Sequence, residues 1–345
     1  MCNIAGYIGE KQAAPILFEM LKKQEIYDGG RSTGICTIHE GKIYYKKVLG
    51  DTSEFIKNVD LSELPGTIGI AHSRPARTYV SHAHPYISNN GRLAMVSNGT
   101  TPYDEELARR RDVITEELHQ KGYTYVTQHQ AESSSFPKLQ CGDYVSAMDV
   151  VVNLAEEYMS KGKDAIEAAT RALDDMYSER VGCIINADEP DYIGVIRLTR
   201  PMEILTNNGE SYIATTRFGF PEDVEGDVYS IPVLRACKVT KTGFTLLPYK
   251  IETDGVAEIL PNTYRIAYDK IEAMLKEKPC VWDEIEIAML ETPELWDEKH
   301  RYSQYAKVGY DILWQIHKEG RLKSFLAPQV RPTDTRILRN MFIEE

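Results

Sequence analysis

Met1-Cys2-Asn3-Ile4-Ala5-Gly6-Tyr7-Ile8-Gly9 opens the chain. Asn3–Ile8 is a short apolar run ended by a glycine, and it reads as a buried strand. A cysteine stands in front of it, directly after the initiator methionine. That methionine is commonly removed when the second residue is small, which would leave Cys2 with a free α-amino group. Such a residue carries a nucleophile and a base together. An α-amino pKa of about 7.7–8.0 keeps an appreciable neutral fraction near pH 7 to take the thiol proton. A buried structural cysteine is the plain alternative, and these residues alone do not choose between the two.

Outward from this strand the chain alternates short apolar runs with glycines and polar clusters. Ile16, Leu17, Met20 and Leu21 share one helical face within 14–22. Strand-like runs follow at 33–39, 42–47, 67–72 and 93–97, then a charged helix over 104–121 that stops at Gly122. Residues 127–145, TQHQAESSSFPKLQCGDYV, are polar and serine-rich and read as a loop excursion. Helical patterning returns at 148–160 and 164–177, and a second set of strands covers 181–186, 192–197, 203–206, 211–215 and 228–250. Composition shifts near residue 254. Beyond it, Tyr264, Ala267, Ile271, Met274 and Leu275 fall at helical spacing, as do Tyr302, Tyr305, Val308, Ile312 and Ile316.

Four blocks then occur in one order. Cys2-Asn3-Ile4-Ala5-Gly6 resembles the Cys-Gly-Ile-Val-Gly start of the class-II (N-terminal nucleophile) glutamine amidotransferases. Tyr27-Asp28 with Gly34-Ile35 resembles that family's RGYDSAGI, and Gly69-Ile70-Ala71-His72-Ser73-Arg74 with Ala83-His84-Pro85 resembles its GIAHTRWATHG and AHP. Val96-Ser97-Asn98-Gly99 resembles its HNG. The likeness covers about residues 2–250, is sharpest in 2–100, and points in particular to the glutaminase domain of glucosamine-6-phosphate synthase.

The resemblance implies an α+β fold, a four-layer αββα N-terminal-nucleophile hydrolase sandwich over residues 2–253, with an insertion near 127–145 and a helical C-terminal extension over 254–345. It also implies roles. Cys2 is the nucleophile, and the Asn98 side-chain amide with the Gly99 N–H forms an oxyanion hole. Arg74 grips the substrate α-carboxylate through its planar fork. Each has an ordinary reading too: Asn98-Gly99 as a turn, Arg74 as a surface ion pair.

The carboxylate for the substrate ammonium lies in a SETDTE-like segment in the family. Two registers compete. Gly122-Tyr123-Thr124-Tyr125-Val126 matches its lead-in, but continuing would put Gln130 at the acidic position. Tyr144-Val145-Ser146-Ala147-Met148-Asp149 puts Asp149 there, and a helix N-terminus would favour that carboxylate in any case. Asp149 is the expected residue.

Some positions depart from the pattern. Glu25-Ile26 replaces the Arg-Gly before Tyr27-Asp28, and Pro75-Ala76-Arg77-Thr78-Tyr79 replaces the WATHG loop after Arg74. Glutamine is the expected substrate, with a different small amide as the alternative. No cofactor and no metal are expected. His82-x-His84 with His129 has the residue types for a metal but weak spacing. The remaining cysteines, at 36, 141, 183, 237 and 280, form no C-x-x-C pair and read as free thiols in a reducing compartment.

A formal charge of −12 argues against a nucleic-acid partner. No apolar run reaches bilayer length, no signal peptide is seen, and a cytoplasmic protein is expected. The segment after residue 253 has no Gly-rich phosphate loop. The expectation is therefore a glutaminase subunit that passes ammonia to a separate synthase or acceptor subunit. A homo-oligomer stays open. So do hydrolysis of another amide and a non-catalytic regulatory subunit that keeps the fold.

Overall fold

Asn3–Ile8 is buried at every position, because this strand (β1) has a layer packed on each of its faces. The computed structural model describes residues 2–74, 79–99, 105–129, 136–176, 181–250, 259, 262–295, 304–330 and 335–344. After β1 come α1 (Ala13–Glu25), β2 (Ser32–His39), β3 (Lys42–Val48), α2 (Thr52–Asn58), β4 (Ile68–Arg74), β5 (Tyr86–Ile87) and β6 (Leu93–Asn98). Three helices follow, α3 (Glu105–Gln120), α4 (Ala147–Ser160) and α5 (Ala165–Asp175). Then the chain returns to strands: β7 (Val181–Asn186), β8 (Glu189–Arg197), β9 (Glu203–Asn207), β10 (Glu210–Ala214), β11 (Asp227–Ser230), β12 (Arg235–Thr240) and β13 (Gly243–Lys250). It closes with α6 (Thr263–Glu277), α7 (Trp282–Leu290), α8 (Tyr305–Lys318), β14 (Leu322–Val330) and β15 (Thr335–Ile343).

Strands β1 to β13 form two antiparallel sheets. One runs β11-β9-β10-β1-β4-β2-β3 and the other β13-β12-β8-β7-β6-β5. Alternation sorts each strand between two cores. Ile4, Ile8, Cys36, Ile38, Ile68 and Ile70 meet Ala94, Val96, Cys183, Ile185, Ile193 and Val195 between the sheets. On the far side of the first sheet, Ala5, Tyr7 and Ala71 carry Ala14, Leu17, Phe18 and Leu21 of α1. On the far side of the second, Met95, Ile184 and Ile196 carry Val150, Val151 and Leu154 of α4 and Ile166 and Ala169 of α5. The order is helix, sheet, sheet, helix. Asp51 and Asp164 cap α2 and α5, accepting from the Glu54 and Glu167 amides at 2.9 and 2.8 Å.

A separate core joins the C-terminal elements: Ile271, Trp282, Ile285, Ile312 and Met341 pack together, with Tyr27 from the turn after α1. The sequence pattern predicts a helical extension here, and its last part is not helical. β14 and β15 pair along their whole length as an antiparallel ribbon. Gly320, at φ 74°, turns the chain out of α8, and Pro328 cannot sit inside a helix.

Lys307 of α8 lies 3.1 Å from Glu203 of β9, with the two side chains 8% and 3% exposed. Asp311, the Ser230 hydroxyl and, at 3.6 Å from Glu203, Arg217 join the cluster, which ties the C-terminal helices to the first sheet. Removing one partner of such a pair strands the other charge away from water. Lys307→Ala should cost roughly 3–5 kcal/mol in chemical denaturation, and the double change Lys307→Met with Glu203→Gln should recover most of it.

Candidate active site

Three inward-facing rows of the sandwich end in polar residues at one edge. In β4 the row Ile68, Ile70, His72 ends in Arg74, and in β6 the row Ala94, Val96 ends in Asn98. In β1 the row Ile8, Gly6, Ile4 points back to Cys2, one residue ahead of the strand. Asn3 pairs with Ser73 and Ile4 with His72, so Cys2 and Arg74 emerge together on the inner face. The apolar core supplies the alignment, and the polar end of its rows supplies the chemistry.

Cys2 is half-buried. The Asn98 side-chain amide donates to the Cys2 carbonyl at 2.7 Å and to the Thr215 hydroxyl at 2.9 Å. That hydroxyl also accepts from the Ile4 amide at 2.8 Å. Gln24 of α1 is fully buried and bridges the same corner: its amide donates to the Ile4 carbonyl at 3.0 Å, and its oxygen accepts from the Thr215 amide at 3.1 Å. Gly99, directly after β6, sits at φ 124°, a backbone conformation that favours glycine. The end of β6 and the start of β1 are thus held together by side chains from α1 and from Thr215, directly after β10.

His72 is buried beside them. Its Nε2 donates to the Ser97 carbonyl at 3.0 Å, and its ring meets His84 edge-on at 4.1 Å. Burial, reinforced by Arg74, lowers its pKa to about 3, so the ring stays neutral. Arg74 donates to the His82 carbonyl at 2.7 Å. The Tyr86 hydroxyl donates to the Ser146 hydroxyl at 2.9 Å and lies 3.2 Å from that same His82 carbonyl.

Ser146 leads to Asp149, which sits in the first turn of α4 and is 1% exposed. One carboxylate oxygen accepts from the Thr127 amide at 2.9 Å and the Thr127 hydroxyl at 2.8 Å. Burial raises the Asp149 pKa to about 6 despite these bonds and a nearby Lys47. The Thr127 hydroxyl also accepts from the Ser146 amide at 2.9 Å, so the two ends of the 127–145 excursion meet at its base. Asp149 therefore joins Arg74 through His82, Tyr86, Ser146 and Thr127.

Lys47 carries no motif that marks it in the sequence. It pairs with Gly34, which pairs with His72, so it shares their inward row. The period of two from Ile43 would have placed it there. Its ammonium lies 5.0 Å from the Tyr86 ring centre, and burial lowers its pKa to about 8. Gly34 itself leaves room for the chain at His84, since a Cβ there would stand 1.9 Å from the His84 carbonyl oxygen. Thr215, Gln24 and Tyr86 also escape a reading of the sequence, and no local pattern marks them.

The histidines with the residue type for a metal are apart in role. His82 stacks on Phe136 at 5.6 Å, and His129 meets Asp143 at 2.8 Å on the excursion. Residues 75–78, the altered loop after Arg74 with Arg77, lie outside the described residues.

No family model matches the sequence. The chain is similar to the isomerizing glutamine–fructose-6-phosphate aminotransferase of Caldanaerobacter subterraneus, 33% identical over 218 residues, which is 62% of this chain and 31% of that protein. Its counterpart in Pyrococcus horikoshii is 30% identical over 218 residues, 62% of this chain and 32% of that one. The chain thus spans about a third of the length of these curated relatives. Among solved structures, the glutamine phosphoribosylpyrophosphate amidotransferase of B. subtilis shares the fold with a TM-score of 0.59 at 15% identity, over 85% of this chain and 64% of that one. A structure described as the allosteric regulatory enzyme of purine biosynthesis does so with a TM-score of 0.60 at 15% identity, over 99% and 71%. With the N-terminal block, the two packed sheets and these matches together, the chain resembles a class-II glutamine amidotransferase domain and is distantly similar in sequence to part of the isomerizing glutamine–fructose-6-phosphate aminotransferases.

Proposed function

We propose that this domain hydrolyses the side-chain amide of glutamine through a thioester on Cys2, with Met1 removed. The observation that carries the reading is the convergence of three inward rows on Cys2, Arg74 and Asn98, with the Asn98 amide 2.7 Å from the carbonyl of Cys2 itself. The Cys2 sulfur attacks the amide carbon, and a C–S bond forms. The thiol proton passes through the α-amino group to the departing nitrogen, the C–N bond breaks and ammonia leaves. Water then attacks the thioester, a C–O bond replaces C–S, and glutamate and the free thiol result. Asn98 and the Gly99 N–H hold the oxyanion in both steps. For this, Asn98 must turn one N–H from the Cys2 carbonyl or from Thr215 toward the substrate. Arg74 takes the α-carboxylate and Asp149 the α-ammonium. The ammonia is proposed to serve an acceptor on a separate synthase subunit.

A second reading has one specific support. Lys47 lies on the inward row of His72 and its charge acts on the Asp149 carboxylate, so an amide without an α-ammonium would also suit the site. Diazo-oxo-norleucine separates the two: attachment at Cys2 supports glutamine recognition. Hydrolysis of another amide without labelling supports the second reading, and neither activity supports a regulatory subunit. For the first reading, Cys2→Ala should abolish glutamate release, intact mass should show loss of Met1, and equal rates in wild type and variant would refute the nucleophile.

The pH dependence has a definite sign. Asp149 must be ionised to hold an ammonium, so glutamine affinity should fall as pH drops below about 6. Asp149→Asn should raise KM by roughly 10- to 100-fold at pH 7.5 and flatten that acid limb in a pH series. Stability runs the other way at this residue. Its raised pKa means the folded state keeps a proton that the unfolded chain has lost, so its contribution improves as pH falls from about 6 towards 4.

A further inference from the structure

We infer that Arg336, on the C-terminal ribbon, is a positioning residue for the Cys2 site, so that the ribbon completes the amidotransferase domain. Arg336 is nine-tenths buried although it carries a charge. Its guanidinium forks onto the turn after α1: Nη1 donates to the Gly29 carbonyl, and Nη2 lies 3.3 Å from Asp28 Oδ1. The Arg339 backbone amide donates to the Ile26 carbonyl at 2.8 Å, so β15 holds this turn at two points.

The opposite side of the turn rests on the active-site strands. The Asn3 side-chain amide donates to the Asp28 carbonyl, and the Gly30 amide donates to the Ser73 hydroxyl at 2.9 Å. The Arg31 amide donates to the Arg74 carbonyl at 2.9 Å. Asn3 follows Cys2 and Ser73 precedes Arg74. The turn has no slack of its own. Gly29 and Gly30 sit at φ 106° and 77°, and a Cβ on Gly29 would stand 2.8 Å from the Asn3 amide nitrogen and 3.0 Å from the Ser73 hydroxyl. Residues 28–31 are thus a wedge between Arg336 and the backbone that carries Cys2 and Arg74.

Two properties make Arg336 the specific holder. Its planar fork reaches a carbonyl and a carboxylate at once, a geometry that the compact ammonium of a lysine does not reproduce. Both members of the Arg336–Asp28 pair are shielded from water, at 8% and 5% exposure, so loss of the guanidinium leaves Asp28 to seek solvent and drags the turn with it. A shift of the turn moves the Asn3 and Ser73 contacts, and with them the nucleophile relative to the carboxylate grip. Misplacement of this kind is felt in rate out of proportion to its size.

The inference deepens the proposed glutaminase reading and rests on it for its kinetic arm. In the full chain, Arg336→Ala should lower kcat/KM for glutamine by about tenfold or more. It should also change the rate of Cys2 alkylation by iodoacetamide and speed amide exchange in residues 28–31. Arg336→Lys should fall between the two. Arg321→Ala, which breaks a half-buried pair with Glu272 elsewhere in the C-terminal part, should match wild type in all three. A folded Arg336→Ala protein whose kcat/KM and Cys2 alkylation both stay within about twofold of wild type overturns the inference. If Arg336→Ala does not fold, Arg336→Lys takes its place under the same criterion. If wild type releases no glutamate, the glutaminase reading fails and the inference is judged on alkylation and exchange alone.

Discussion

Two sheets pressed face to face must agree on which residues look inward, and the candidate site depends on that agreement. A slip of one residue in β1 would send Ile4 towards α1 and turn Cys2 away from Asn98. The inter-sheet core forbids the slip, because every second residue of β1, β4 and β6 is packed there. Polar clamps reinforce it at the end where the apolar rows stop. Thr215 and Gln24 each satisfy two buried groups there, so losing either would leave backbone donors and acceptors without water or partner. Packing and hydrogen bonding therefore specify the same register.

The electrostatics of the site follow from its place at the mouth of an apolar sandwich. Burial pushes Asp149, Lys47 and His72 towards their neutral forms: Asp149 upward, Lys47 and His72 downward. The Asp149 charge is consequently held at low cost to its surroundings only when a cation answers it. Lys47 offers one inside the protein, and a substrate ammonium would have to compete with or complement it.

Much of this is legible in the amino-acid order, for a physical reason. Strands of period two and a helix of period 3.6 announce themselves locally, and the boundaries expected for β2, β3, β4 and β6 lie within two residues of those observed. Following the inward rows to their ends also reaches Arg74 and Asn98. Contacts that close across the fold carry no such mark. Asn98 and Thr215 are 117 residues apart, and Gln24 and Thr215 are 191 apart. The seven-residue α2 is too short to develop a clear period. β14 and β15 pass for part of a helical tail in the sequence because their apolar residues do not alternate cleanly: Phe325 and Leu326 are adjacent and both half exposed.

The excursion of residues 127–145 is pinned at its base by the Thr127 hydroxyl, which serves the Ser146 amide and the Asp149 carboxylate together. The excursion is held away from its root as well: Leu139 and Val145 are buried in the core against α4, and the Lys138 and Gln140 amides donate to Asp112 and Glu116 of α3 at 2.7 and 3.0 Å. The Thr127 tie differs from these in touching the acid, because its loss would unpin the root and remove a donor from Asp149 in one event. A change at that one side chain would therefore be felt twice, as a looser surface and as an altered carboxylate.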